Sequence, residues 1–147
     1  MCYILNMSIG ILFAISAAVV FGLWTVFHNQ ASEHVSPIFG AILVSFTAVI
    51  IGIPFLIREW FIGGVHIGYK GMVFIGLAGA SALALDYFVL RTYATGIPIS
   101  IGGPIIIGGS IVVAVIIGFL LGEQVSVLKI VGITLVLVGA TVLASVA

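Results

Sequence analysis

The stretch LALDYFVLR, Leu83–Arg91, puts an acid and a base inside a run of leucine, alanine, valine and aromatic side chains. In a soluble protein this is a buried helix closed by a surface ion pair. In a membrane protein, Asp86 is an ionisable group held in hydrocarbon, where such groups are rare and tied to function. The rest of the chain decides between these readings.

Of 147 residues, 63% are hydrophobic and 5% charged, and the mean hydropathy is +1.50. A soluble domain carries roughly a quarter charged residues, because its outside must face water. Four acidic and four basic side chains cannot solvate a globule of this size. The 19 glycines fit helices that pack closely in lipid. The chain therefore reads as an integral membrane protein. A net charge of zero offers no basic patch for nucleic acid. Cys2, the single cysteine, excludes an intramolecular disulfide and a cysteine metal cluster. The start, MCYILNMSIGILFAISAAVVFGLW, has no basic n-region, and its apolar run exceeds the core of a signal peptide. It is expected to be a retained first membrane helix, with Met1 or Met7 as the initiator.

Hydropathy and breaker residues divide the chain into five segments of the ~20 residues a bilayer requires: Ile9–Phe27, Pro37–Ile57, Gly71–Leu90, Pro98–Leu121 and Val127–Val146. The longest connection is expected over Arg58–Lys70, REWFIGGVHIGYK. Lone strands cannot satisfy their backbone in lipid, so the expected fold is all-α, a membrane bundle of five transmembrane helices forming one domain over residues 1–147. Arg58, Lys70 and Lys129 fall on one side and Arg91 on the other. This places the second and fourth connections in the cytoplasm, by a margin small enough to allow insertion both ways. Small residues recur at helical spacing in Ala14/Ala18/Gly22, Gly76/Ala80/Ala84 and Ser110/Ala114/Gly118/Gly122, with Gly132 and Gly139 seven apart. Such faces let helices approach, within the chain or between chains.

From Tyr87 onward the chain presents an aromatic helix end with a base (YFVLRTY), a helix bearing Pro104, the junction LLGEQVS and a glycine-spaced last helix, GITLVLVGATVLA. The front supplies FGLWTVFHNQAS. This ordered set resembles an EamA-type repeat of the drug/metabolite transporter superfamily, across essentially the whole chain. Most members of the superfamily fuse two such repeats, whereas this chain supplies one. The resemblance implies a permease subunit that works as a dimer, as short members do, often with the two copies inverted; the alternatives are a pairing with a homologous subunit of opposite orientation and a fragment of a longer protein.

Asp86 lies 15 residues past Gly71, about 22 Å into a ~30 Å hydrocarbon core. A central Asp costs roughly 2.5–3.5 kcal/mol on the insertion scale, and each Leu, Ile, Val or Phe returns about 0.3–0.6. Val73, Phe74, Ile75, Leu77, Leu83, Leu85, Phe88, Val89 and Leu90 offset it. Asp86 is then either a substrate contact or proton carrier, or a structural acid facing the bundle interior. Arg91 stands about 140° around the helix from it, which excludes a direct pair; Tyr87 shares the Arg91 face, and Arg91 marks the membrane edge. Pro104, among Gly102, Gly103, Gly108 and Gly109, is expected to kink or loosen its helix, as a gate or as a tolerated bend. Trp24 and His28 share a face; Trp24 serves as a stacking surface or an interface anchor. His28, His34 and His66 lack metal-ligand spacing and are placed at headgroup level. Glu123 is expected to cap and pair helices. No nucleophile motif, phosphate loop or carboxylate pair points to an enzyme, and no cofactor is implied.

The function expected from these residues is transport of a small organic solute across the cytoplasmic membrane, through a cavity lined by Trp24, Asp86, Tyr87, Pro104 and Ser110. The alternatives are a non-transporting assembly subunit and a passive pore. The charge balance yields a direct test. Topology reporters fused at Ala147 should read out on both sides of the membrane, or invert when Lys70 and Lys129 are neutralised. A C-terminus fixed on one face through those changes defeats the dual-orientation reading.

Overall fold

The computed structural model describes residues 2–124 and 126–145, with side chains from residue 11 onward and Ala144 excepted. Met1, the side chains of Cys2 and Met7, Val125 of the LLGEQVS junction and the expected span end at Val146 lie outside the described residues.

Five helices follow one another: α1 (Cys2–Ala31), α2 (Pro37–Ile62), α3 (Tyr69–Ala94), α4 (Ile99–Leu120) and α5 (Val127–Ala144). No strand occurs among the described residues. α1 to α4 are each long and apolar enough to cross a membrane, while α5 is apolar but shorter. At 1.5 Å per residue the 26 residues of α3 span about 39 Å and the 18 of α5 about 27 Å.

α1, α2 and α3 overrun the expected spans, because a helix need not end where its apolar run ends. α2 continues through Arg58, Glu59 and Trp60, so the Arg58–Lys70 connection shrinks to Gly63–Gly68. Gly63 ends α2 with a left-handed φ of 76°, and the amide of Gly64 reaches back to the Glu59 carbonyl at 3.0 Å. This is the glycine-terminated closure that satisfies the last carbonyls of a helix. The same closure explains the LLGEQ junction. Gly122 has φ 88°, and the Glu123 amide donates to the Gly118 carbonyl at 3.0 Å. At both junctions the chain turns where glycine alone adopts the backbone without strain. α4 runs unbroken through Pro104.

By its contacts the chain forms two compact units, residues 1–27 with 96–147, and residues 28–95. In the first, α4 packs on α5. The packing line of α4 is not the expected Ser110–Gly122 stripe, of which only Gly118 is buried. It is formed by the glycines around Pro104: Gly102, Gly103 and Gly108 are buried, and a Cβ on Gly108 would lie 3.2 Å from the Ala140 methyl. Gly132 and Gly139 face open space, as do Gly22 and Gly76. In the second unit α2 packs on α3, and its apolar core holds Ala41, Val89, Leu90 and Tyr93. Outside these contacts the helices present large apolar side chains such as Phe13, Phe61 and Phe74, the surface that lipid covers.

Gly40 is the closest approach in the second unit: a Cβ there would meet Leu90 Cδ1 at 2.6 Å and Val35 Cγ2 at 3.1 Å. Gly40→Leu should therefore destabilise the protein by about 2 kcal/mol through overpacking. The measurement is the unfolding midpoint in detergent, and Leu90→Ala in the same chain should restore part of the loss. A Gly40→Leu protein as stable as its parent would contradict this packing.

Candidate functional site

In the second unit the buried polar groups collect at one end, where the last turn of α1, the first turns of α2 and the last turns of α3 meet. A proline in the first turn of α2, after Ser36, and the small residues Gly40 and Ala41 bring α2 close to Val89 and Leu90 of α3. Asp86, Val89, Leu90 and Tyr93 form the buried face of α3, with the three- and four-residue spacing of a helix stripe. Asp86 stands about 7 Å beyond the middle of α3.

Opposite it stands His28, with Nε2 3.1 Å from Asp86 Oδ1; both residues are buried. A buried acid in lipid is tolerated when its charge is compensated nearby, and an imidazole can supply that charge. His28 lies in the last turn of α1, which extends to Ala31 and brings the imidazole into the buried interior of the second unit. His34 and His66 are exposed. Ser32, also buried, donates to the Asn29 carbonyl at 2.7 Å. The hydroxyl of Tyr93 is buried with no hydrogen-bond partner among the described residues.

The remaining expected site residues fall as follows. Asp86 faces the interior of its unit, separate from the exposed Arg91. Arg91 Nη1 donates to the hydroxyl of the half-buried Tyr87 at 3.4 Å, the four-residue pair read from the spacing. Trp24, Pro104 and Ser110 belong to the first unit. Trp24 is half-buried and stacked on Phe21 at 5.0 Å between ring centres. Pro104 lines a groove of about 390 Å³ with Gly22, Thr25, Gly108 and Gly139. Ser110 is exposed and donates to the Ile107 carbonyl at 2.8 Å. Glu123 contacts Lys129 at 3.6 Å, across the α4–α5 junction.

Sequence reasoning identified the acid and missed its partner. The usable signal was that an intramembrane aspartate needs a countercharge, and His28 is the one histidine within reach of an apolar helix. The pair makes a testable statement about stability. Truncating one partner of a buried ion pair leaves the other uncompensated, at on the order of 3–5 kcal/mol. His28→Leu should lower stability by that amount, read as a fall in the unfolding midpoint, and His28→Leu with Asp86→Leu should recover most of it. A His28→Leu protein of parental stability would show that the contact compensates nothing.

With this geometry in view, the comparisons with known proteins give one match. The model of the EamA-like transporter family matches residues 8–145. No curated protein and no solved structure matches the chain. The matched region includes all of α2 to α4, the junction glycines and the His28–Asp86 pair, and its apolar helices make the protein a multi-pass membrane protein. The chain belongs to the EamA-like transporter family, as a single repeat of the drug/metabolite transporter superfamily.

Proposed function

We propose that the protein is a permease subunit that moves a small organic metabolite or drug-like solute across the cytoplasmic membrane, and that Asp86 is the residue on which transport turns. The observation that carries this reading is the buried contact of His28 with Asp86 inside a chain of a transporter family. A carboxylate and an imidazole in contact can hold, give up and exchange a proton.

In this reading all five helices span the bilayer and the whole chain acts as one transporting repeat. The shorter α5 crosses with its polar junction at the surface. Arg58, Lys70 and Lys129 lie on the cytoplasmic side, so the cluster around Asp86 is nearer the outer face. One repeat has too few helices to enclose a path, and a second copy, inverted, or a homologous subunit completes it. The exposed Gly132 and Gly139 offer a close-packing surface for that partner. Two inverted copies place their Asp86 carboxylates about 14 Å apart along the membrane normal, one toward each face. Trp24, Tyr87, Pro104 and Ser110 line the path with Asp86.

The test is transport of labelled metabolites and drug cations in sealed vesicles, with and without a proton gradient. Asp86→Asn keeps the size and hydrogen-bonding capacity of the side chain and removes its titratable proton. It should insert and assemble normally and lose transport at least about tenfold, or lose the dependence of transport on pH. Parental transport by Asp86→Asn at every pH would make Asp86 a structural acid and remove this reading.

A further inference from the structure

Tyr93 stands apart from the other hydroxyl-bearing residues near the cluster. Ser32 and Thr92 donate to carbonyls of their own helices, at 2.7 and 2.8 Å. Ser81 does the same at 2.9 Å. These short side chains reach back one turn, which is how hydroxyls are satisfied in hydrocarbon. A phenol cannot do this, because its ring carries the oxygen beyond its own backbone. Tyr87 resolves the problem with Arg91. Tyr93 is 3% exposed, and its oxygen has no hydrogen-bond partner among the described residues. Buried polar groups are almost always paired, so a buried orphan hydroxyl marks a place where something else supplies the partner.

Its position says what that partner sits beside. Tyr93 is seven residues after Asp86, so both lie on the one buried face of α3, with Val89 and Leu90 between them. Long helical side chains lean toward the helix N-terminus and cover the preceding turn. That direction carries the phenol toward Asp86 and not away from it. His28 already meets the carboxyl group of Asp86, at 3.1 Å, so the two groups are engaged with each other. A charged solute would have to break that contact to be met in this buried setting, whereas a net-neutral polar group leaves it in place.

We propose that Tyr93 is a solute-contacting residue, whose hydroxyl donates to an oxygen acceptor on a net-neutral solute held beside the His28–Asp86 pair. The inference rests on the reading of this cluster as the transport site, and names the chemistry the site recognises. An amide, ester or alcohol oxygen suits the phenol as an acceptor.

The experiment uses the full chain in detergent and three probes of one carbon skeleton: 4-methylpentanamide, 4-methylpentanoate and 4-methylpentylamine. Tyr93→Phe keeps the ring and removes only the oxygen. Without any probe, loss of an unsatisfied hydroxyl should raise the unfolding midpoint by about 2–6 °C. In the parent protein the neutral amide should raise the midpoint with increasing concentration, more than either charged probe does. In Tyr93→Phe its apparent affinity should fall about tenfold, the effect of one hydrogen bond. A lower midpoint in Tyr93→Phe would mean that the hydroxyl is already paired, and overturns the proposal. So does an amide affinity that the substitution leaves unchanged, or stronger binding of the amine or the carboxylate. Failure of vesicle transport to depend on Asp86 would leave these midpoints as they are, so the two failures are distinguishable.

Discussion

A buried acid in a membrane helix needs a polar partner, and the polar end of the second unit follows from that requirement at Asp86. The carboxylate lies about 7 Å beyond the middle of α3, where a lone charge is expensive. To meet it, α1 must extend past its apolar run as far as His28, and the turn after Ala31 must return the chain into α2 without displacing that contact. Gly40 and Ala41 then let α2 come near enough for Leu90 and Val89 to be fully covered. The apolar packing at this end is small, a handful of side chains, and it closes around a polar contact instead of the reverse. A hydrophobic replacement of the pair could be as stable or more so, as buried ion pairs in other proteins show.

Much of the helical architecture was legible because it rests on composition and on local backbone chemistry. Runs of leucine, isoleucine and valine locate all five helices, with ends that differ most at Cys2 against the expected Ile9 and at Ile62 against Ile57. Boundaries slipped where a helix left the hydrocarbon, since Arg58 and Glu59 end an apolar run without ending a helix. Tyr87 and Arg91 were readable as a pair because four residues along one helix fix their geometry. His28 and Asp86 were not, because they lie 58 positions apart and hydropathy carries no information on which helices adjoin. Tyr93 was invisible for a related reason. In sequence it is one more aromatic at a helix end, and only burial without a partner distinguishes it.

The glycines divide by the same logic. Spacing alone singled out four stripes, but a stripe matters where a neighbouring backbone comes close. Gly108 meets Ala140 and Gly40 meets Leu90, whereas Gly132, Gly139 and Gly76 meet nothing within the chain. Periodicity shows which residues could permit a close approach. Which of them are used depends on the order of helices around the bundle, which is a property of the fold and not of any one segment.

The α4–α5 junction has a bearing on how the protein is made. Its acid and its base, Glu123 and Lys129, contact one another at 3.6 Å across a turn that glycine closes tightly. A helical hairpin that carries a self-neutralising tip presents no net charge to the hydrocarbon as it is threaded through. The barrier to translocating such a tip is lower than two separate ions would impose.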